Sequence, residues 1–421
     1  MADIGIKVFI DNPPVELTAY LEPEIPAKTY VLYDQRWIIG WAQILTHPTG
    51  EYELAYLQVV PEYRGKGYAR DLVLFALYEY EVDQIYAMTV IPDFYTKLGF
   101  KYVELPSFVD YTNLGCQSCD IPKCKALIFN KPTDLIRYGA EQKYFQKYKE
   151  LISGRNFMGS ELSYVNELTW TYAENIYLLD LDGYLFLVAY PYADAPFSVI
   201  CPYQSIPDAV LDKYFARLRE LNIKRLKYLG TTARLILEGY SGKAELKIQE
   251  DRDNFDYLYK VKDFAEFPGA DFASKRNRLK KFLRSNSGGE IIQYKPELKE
   301  DFFNFARQKF TEMDVDVISE EVLRLGLEQD LYQGFMVRIG KMDIGLLLYS
   351  ELNPKTVIVH FELIDESYDG VAQFMNNHLG QMLTGKYLFI NREQDLGIPG
   401  LRKSKLSYNP YRLIRKYGVE I

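Results

Sequence analysis

Cysteine is scarce, with 4 in 421 residues. Three cluster as Cys116-x-x-Cys119-x4-Cys124, and Cys201 stands apart. A chain this long with so few has no disulfide scaffold. No apolar run reaches about 18 residues, so no membrane-spanning helix is expected. Met1–Lys7 lacks a basic n-region and a long apolar core, so no signal peptide is expected. Basic residues are not in excess: 50 Lys and Arg stand against 58 Asp and Glu, a net charge of −8. That excludes wholesale coating of nucleic acid and leaves open a local basic patch. A cytoplasmic protein is the default expectation, with peripheral contact to a membrane left open. At about 150 residues per domain the length suits three domains. A hydrophobic share of 48 % supplies cores for all of them.

The chain turns on Tyr63-Arg64-Gly65-Lys66-Gly67-Tyr68-Ala69. An apolar run, Leu57-Gln58-Val59-Val60-Pro61, leads in. Leu72, Val73, Ala76, Leu77 and Tyr80 follow at helical spacing. This is strand, tight glycine turn, helix. Glycines let backbone N–H groups approach an anion, and the helix N-terminus favours negative charge. A diphosphate suits such a turn. The spacing is neither a Walker loop nor Gly-x-Gly-x-x-Gly, so nucleotide-hydrolase and dinucleotide folds are disfavoured. The plain alternative is an ordinary turn before a packed helix.

Arg64-x-x-Gly67-x-Ala69 after Val-x-Pro resembles the acyl-CoA loop of the GNAT acetyltransferases. Phe94-Tyr95-Thr96-Lys97-Leu98-Gly99-Phe100 resembles that family's later helix-to-strand motif, with strand-like Gln84–Val90 between. Tyr30–Tyr33 and Trp37–Leu45 read as a hairpin, Glu51–Val60 as the strand feeding the loop, and Lys101–Glu104 and Ala126–Phe129 as closing strands. The resemblance implies a GNAT fold over residues 1–132. It implies acetyl-CoA or another acyl-CoA as substrate, held by Val59, Val60, Arg64, Gly65, Lys66, Gly67, Tyr68 and Ala69, and a small-molecule amine as acceptor. Tyr95 sits where such enzymes often place the acid that protonates the leaving thiolate. Glu53, on the strand before the loop, is the candidate base, acting directly or through water. Their plain alternatives are a packing aromatic and an exposed strand carboxylate. Cys116, Cys119 and Cys124 could supply thiolates to zinc or an iron–sulfur cluster. With no fourth Cys or His nearby in sequence, reduced, metal-free thiols are the expectation.

Past Thr133 a second pattern begins. Helices are expected at Glu141–Ile152, Ala209–Leu221, Phe302–Phe310, Val371–Leu383 and Pro399–Ser407. Strands are expected at Tyr177–Asp180, Tyr184–Val188, Phe335–Ile339, Ile344–Tyr349, Thr356–Leu363 and Tyr387–Asn391. Ser274 is expected to cap a basic helix carrying Lys275, Arg276, Arg278, Lys280, Lys281 and Arg284. Ile390–Tyr408, Ser274–Phe282, Glu250–Tyr259 and Ser160–Tyr164 together resemble the family named for the C-terminal domain of phosphatidylglycerol lysyltransferase. That resemblance covers roughly residues 140–421 and implies two more GNAT-like units, at 133–265 and 266–421. The fold class expected is therefore α/β (α+β), three GNAT-like mixed-sheet domains.

The better-known members of that family move an amino acid from aminoacyl-tRNA to a lipid head group, and no membrane-spanning half like theirs is expected in this sequence. Gly400-Leu401-x-x-x-Lys405 is similar to an element of the related peptidoglycan-bridge aminoacyl transferases. By that resemblance Lys405 is the candidate for stabilising an oxyanion, with Asp395 or Glu393 as base or orienting group. A salt bridge and helix-entry charges are the plain alternatives. The basic helix could hold tRNA phosphates or be a solvated face. His360 and Glu362 fall on a candidate central strand, where a lone His is more often packed. Three organisations stand side by side: an acyltransferase fused to an aminoacyl-transferase-like module, an acetyltransferase with a non-catalytic substrate- or tRNA-binding platform, or a non-catalytic tRNA- or partner-binding protein that retains the folds. An enzyme is favoured because both GNAT motifs are intact.

Overall fold

The computed structural model describes the chain except residues 1–3, 11–12, 19, 22–24, 35–36, 110–119, 155–156, 192–193, 244–245, 287–288 and 314–316. Cys116 and Cys119 therefore lie outside the described residues. Three runs of strands, each interrupted by a strand–loop–helix crossover, build three mixed sheets of seven strands.

The first unit holds β1 (Ile4–Ile10), β2 (Ala27–Asp34), β3 (Trp37–Thr46), β4 (Tyr52–Val59), α1 (Tyr68–Glu79), β5 (Gln84–Thr89), α2 (Pro92–Thr96), β6 (Lys101–Tyr102) and β7 (Lys125–Asn130). The sheet runs β1-β2-β3-β4-β5-β7-β6. Its pairs are antiparallel apart from β4 with β5. Strand β1 lies at the edge of this sheet.

The second unit begins with β8 (Leu135–Arg137), α3 (Gln142–Gly154), α4 (Tyr164–Glu174), β9 (Ile176–Leu181), β10 (Tyr184–Ala189) and β11 (Phe197–Ile200). It continues with α5 (Asp208–Glu220), β12 (Arg225–Leu229), α6 (Thr231–Gly239) and β13 (Lys247–Glu250). The third contains β14 (Asp256–Lys260), α7 (Val261–Glu266), α8 (Ala273–Ser285), β15 (Glu290–Gln293), α9 (Lys299–Met313) and α10 (Val317–Glu328). After these come β16 (Gln333–Ile339), β17 (Met342–Asn353), β18 (Thr356–Ile364), α11 (Val371–Leu383), β19 (Phe389–Asn391), α12 (Pro399–Leu406) and β20 (Arg412–Ile414). The last strand, β21 (Tyr417–Glu420), returns to the second sheet between β12 and β13. Strand β14, which precedes the expected 265/266 division, pairs with β19 and β20 of the third sheet. The second and third units are thus laced together by chain crossing both ways.

Each sheet has one parallel junction: β4 with β5, β11 with β12, β18 with β19. In the first two, a single registered pair joins the strands, Glu53 with Tyr86 and Ser198 with Leu226. Strands that touch at one pair diverge beyond it and leave a mouth. The third junction is longer, with three registered pairs from Thr356 with Phe389 to Ile358 with Asn391, so what the three GNAT-like units share is the parallel junction itself.

One hydrophobic core runs from the first sheet through α1 into the second sheet. Tyrosines form much of the joint. The Tyr78 and Tyr190 rings stack with centroids 3.4 Å apart, and Tyr177 meets Tyr78 edge-on at 5.6 Å. The last carbonyls of a helix have no intrahelical partner. For α1 the next unit supplies donors: Tyr177 Oη to the Tyr78 carbonyl, and Arg137 Nη1 to that of Glu79 at 2.9 Å. The helix behind the glycine loop is therefore anchored at its far end by the second unit.

Candidate active sites

In the first unit, β4 carries a bulge. Tyr56 has φ 54°, and the register with β3 shifts beside it. A bulge bends its strand, and β4 leaves β5 after Glu53. The chain then makes one 3-10 turn, Pro61–Tyr63, and Arg64 Nε donates to the Val59 carbonyl at 2.8 Å. Gly65 (φ 76°) and Gly67 (φ 92°) take left-handed conformations that cost a side-chain-bearing residue energy. Gly67 is the N-cap of α1, and the ladder starts with Asp71 N–H to the Gly67 carbonyl at 3.2 Å. The N–H groups of Tyr68, Ala69 and Arg70 precede that ladder, as an anion cradle requires. Val59 is buried at the loop's root. Arg64, Gly65 and Lys66 are exposed, with Lys66 Nζ 4.9 Å from the Tyr63 ring.

Across the mouth, Pro92 opens α2 and Tyr95 sits on it, 6 % exposed. Its ring packs edge-on against Phe94 and Phe100. Burial, and then the charge of Glu53, hold the Tyr95 hydroxyl well above its ordinary range. It stays protonated, the form that a proton donor needs. Glu53 is not the exposed strand carboxylate of the plain reading. Its side chain is 13 % exposed and its Oε2 lies 2.9 Å from His47 Nε2. His47 was not legible as a site residue. Its segment reads as a turn, and only the register, Leu45 opposite Glu53, folds it back onto that strand.

The other two crossovers do not repeat this open glycine loop. Between β11 and α5 the loop Cys201–Pro207 has no glycine, and Asp208 sits in the first helical turn. Between β18 and α11, Gly370 repeats the left-handed cap with φ 93°. The loop before it is acidic, with Asp365, Glu366 and Asp369. Helix α8 fills the space: a Cβ on Gly370 would lie 2.4 Å from the Arg278 carbonyl, and Lys281 pairs with Asp369 at 2.7 Å. The basic helix thus packs on α11 inside the third unit. Lys275 is buried against Ser407 and the Tyr408 ring, and burial, with Arg278 and Arg392, lowers its amine to about 8. Its N-cap is Phe272, so Ser274 lies inside the helix and does not cap it.

Between the second and third units lies a buried polar network. Asp256 accepts from Ser160 N–H (2.6 Å), Asn391 Nδ2 (3.0 Å) and Lys416 Nζ (2.6 Å). Lys416 also pairs with Glu161 at 2.7 Å, and both Lys416 and Asp256 are fully buried. Glu393, at φ 52°, accepts from Asn166 at 2.9 Å and lies 3.5 Å from His360 Nδ1. Burial pushes its carboxyl up, but His360, Asn166 and Lys405 outweigh that and hold it below the ordinary value. His360 also meets Ser350 Oγ at 2.7 Å, so it is built into the network.

Lys405 donates to the Arg392 carbonyl at 2.6 Å and to that of Gln394. Burial and Arg392 lower its amine to about 8. Two of its three N–H donors are therefore spent on holding the 392–394 backbone. Asp395 accepts from Arg402, Arg252, Tyr257 and the Gly397 N–H. Burial works against its charge, but these donors prevail and hold the carboxyl far below the ordinary range. Such a carboxylate is no base at neutral pH; it orients the loop before α12. Cys124 is half-buried. Among the described residues no group of three His, Cys, Asp or Glu is placed to hold a metal. Nor is any described helix long and apolar enough to cross a membrane.

Residues 26–102 match the family described as acetyltransferase (GNAT) domain, and residues 220–420 the family described as phosphatidylglycerol lysyltransferase, C-terminal. An uncharacterized protein of Mycoplasmoides gallisepticum is 24 % identical over 225 residues, 51 % of this chain and 71 % of that one. A conserved protein of unknown function from Bacteroides thetaiotaomicron shares the fold with a TM-score of 0.61 at 22 % identity, over 66 % of this chain and 96 % of its own. L-PGS from Bacillus licheniformis has a TM-score of 0.47 at 11 % identity, over 68 % of this chain and 92 % of its own. The chain is built of GNAT-like units. It joins an N-terminal GNAT acetyltransferase domain to a module resembling the phosphatidylglycerol lysyltransferase C-terminal family.

Proposed function

We propose that the first unit transfers an acyl group, acetyl being the simplest, from acyl-CoA to an amine. The diphosphate lies on the N–H groups of residues 65–69, and the pantetheine arm enters where β4 and β5 part. Glu53 takes the proton of the acceptor amine. The amine nitrogen bonds to the thioester carbonyl carbon, the carbon–sulfur bond breaks, and the Tyr95 hydroxyl protonates the leaving thiolate. The observation that carries this reading is the convergence of an open glycine cradle, Glu53 and a protonated Tyr95 on one strand divergence. Tyr95→Phe is expected to lower kcat about 10²-fold with KM for acyl-CoA unchanged. An unchanged kcat would return Tyr95 to packing.

For the tandem module, two readings remain from its resemblance: aminoacyl transfer, with Lys405 near the reacting ester, or a non-catalytic substrate- or tRNA-binding platform. The commitment of Lys405 to two carbonyls and of Asp395 to four donor groups favours the platform. Filter binding of charged and uncharged tRNA at two salt concentrations separates them. Aminoacyl transfer predicts tighter binding of charged tRNA, weakened by salt by roughly one log–log unit per phosphate contact. No binding at low salt removes that reading.

A further inference from the structure

The acyl-transfer reading gives Glu53 a task that one rotamer performs best, and the structure holds that rotamer from behind. Oε2 of Glu53 meets Nε2 of His47 at 2.9 Å, with His47 5 % exposed. A carboxylate only accepts, so Nε2 carries the proton and donates it. The imidazole is fixed in turn. It stacks on Phe108 with centroids 4.1 Å apart at 29°, and Phe108 meets Tyr86 edge-on at 5.4 Å. Tyr86 is the residue registered opposite Glu53 at the β4–β5 junction. The backbone of His47 is pinned by its N–H to the Glu51 carbonyl (2.9 Å) and by Gly50 N–H to its own carbonyl (2.8 Å). Carboxylate, imidazole, Phe108 and Tyr86 close a ring of contacts at the mouth of the site.

We propose that His47 is a positioning residue for acyl transfer: it occupies one oxygen of Glu53 and leaves Oε1 to take the proton of the acceptor amine. This rests on the acyl-transfer reading above. His47 keeps its Nε2 proton throughout. The amine proton ends on Oε1 of Glu53, the new carbon–nitrogen bond replaces the carbon–sulfur bond, and the thiolate takes the proton of Tyr95. The hydrogen bond costs the substrate nothing, because it is made before the amine arrives.

The test uses the full chain, with acetyl-CoA as donor and glycinamide, L-lysine, spermidine and water as acceptor probes. Release of free thiol is followed for the wild type, His47→Leu and His47→Gln. The leucine lacks a donor; the glutamine retains an N–H able to reach a carboxylate. His47→Leu is expected to lower kcat about 10- to 100-fold. KM for acetyl-CoA and its calorimetric Kd should stay within about twofold, and His47→Gln should recover most of the loss. A purely structural role would leave kcat per folded molecule unchanged while lowering the unfolding temperature. An unaltered kcat in His47→Leu, or equal losses in both variants, overturns the proposal. A wild type that binds acetyl-CoA but releases no thiol with any probe defeats the acyl-transfer reading itself, and this proposal with it.

Discussion

Replacing Gly67 by valine is expected to abolish acetyl-CoA binding, a loss of at least about 100-fold in affinity, or about 2.7 kcal/mol. Two effects combine. At φ 92° a β-branched residue is held in a region it avoids, at a cost of about 1–3 kcal/mol. Its Cβ would lie in ordinary contact with the Arg70 guanidinium (3.4 Å) and the Asp71 carboxylate (3.8 Å), placing the valine beside the first turn of α1. A diphosphate needs that turn's N–H groups at hydrogen-bond distance, and a side chain standing among them prevents it. Calorimetric titration reads the loss directly, and a far-UV spectrum like the wild type's separates it from unfolding. An affinity within threefold of the wild type would show that the cradle is not where the ligand lies.

Lys416→Met is expected to destabilise the tandem module by about 3–5 kcal/mol, a fall in its unfolding temperature of about 10 °C. Lys416 and Asp256 are fully buried, and the ammonium bridges Asp256 and Glu161. Each of the three comes from a different part of the chain: the turn before α4, strand β14, and the link between β20 and β21. Burial acts against the charge of Lys416, yet Asp256 and Glu161 raise its affinity for the proton. Removing the ammonium leaves two carboxylates facing each other in a dry interior, and that uncompensated charge is the penalty. The double variant Lys416→Met with Asp256→Asn should recover part of the loss, because the two residues share one interaction. Thermal unfolding followed by tryptophan fluorescence and circular dichroism makes the comparison. Equal stability of wild type and Lys416→Met would mean that the network does not hold the two units together.

How far the fold could be read in advance depended on how local its causes are. Helix α11 was legible residue for residue at 371–383, because its apolar stripe is periodic and Gly370 marks its start. The glycine loop was legible because left-handed backbone asks for glycine at fixed positions. Strands β16, β17 and β18 were legible from alternation and apolar runs. The return of β21 to the second sheet was not, since pairing across long sequence separation leaves no periodic trace. Nor was the seating of α8 on the acidic loop of the third unit. Its basic residues read as a patch for phosphates or a solvated face, whereas Lys281 pairs with Asp369 and Lys275 is buried. The sequence holds 36 tyrosines, and in the fold several of them make the joint between α1 and the second sheet, which no local pattern announces.

The site residues divide along the same line. Glu53 and Tyr95 were singled out because each lies in or beside a sequence motif, and the fold brings both to one mouth. His47 was missed because its contact with Glu53 exists only through hairpin register. Lys405 and Asp395 were singled out by resemblance. The fold shows what each holds: two carbonyls of the 392–394 backbone for Lys405, and Arg252, Tyr257, Arg402 and the Gly397 N–H for Asp395.

The central claim is that one of three similar crossovers has kept an acyl-CoA cradle. Calorimetric titration of the intact chain with acetyl-CoA tests it most directly. The account predicts saturation at one molecule per chain, because the second crossover has no glycine and α8 fills the third. No heat of binding across a panel of acyl chain lengths, or saturation at two or three per chain, would contradict it.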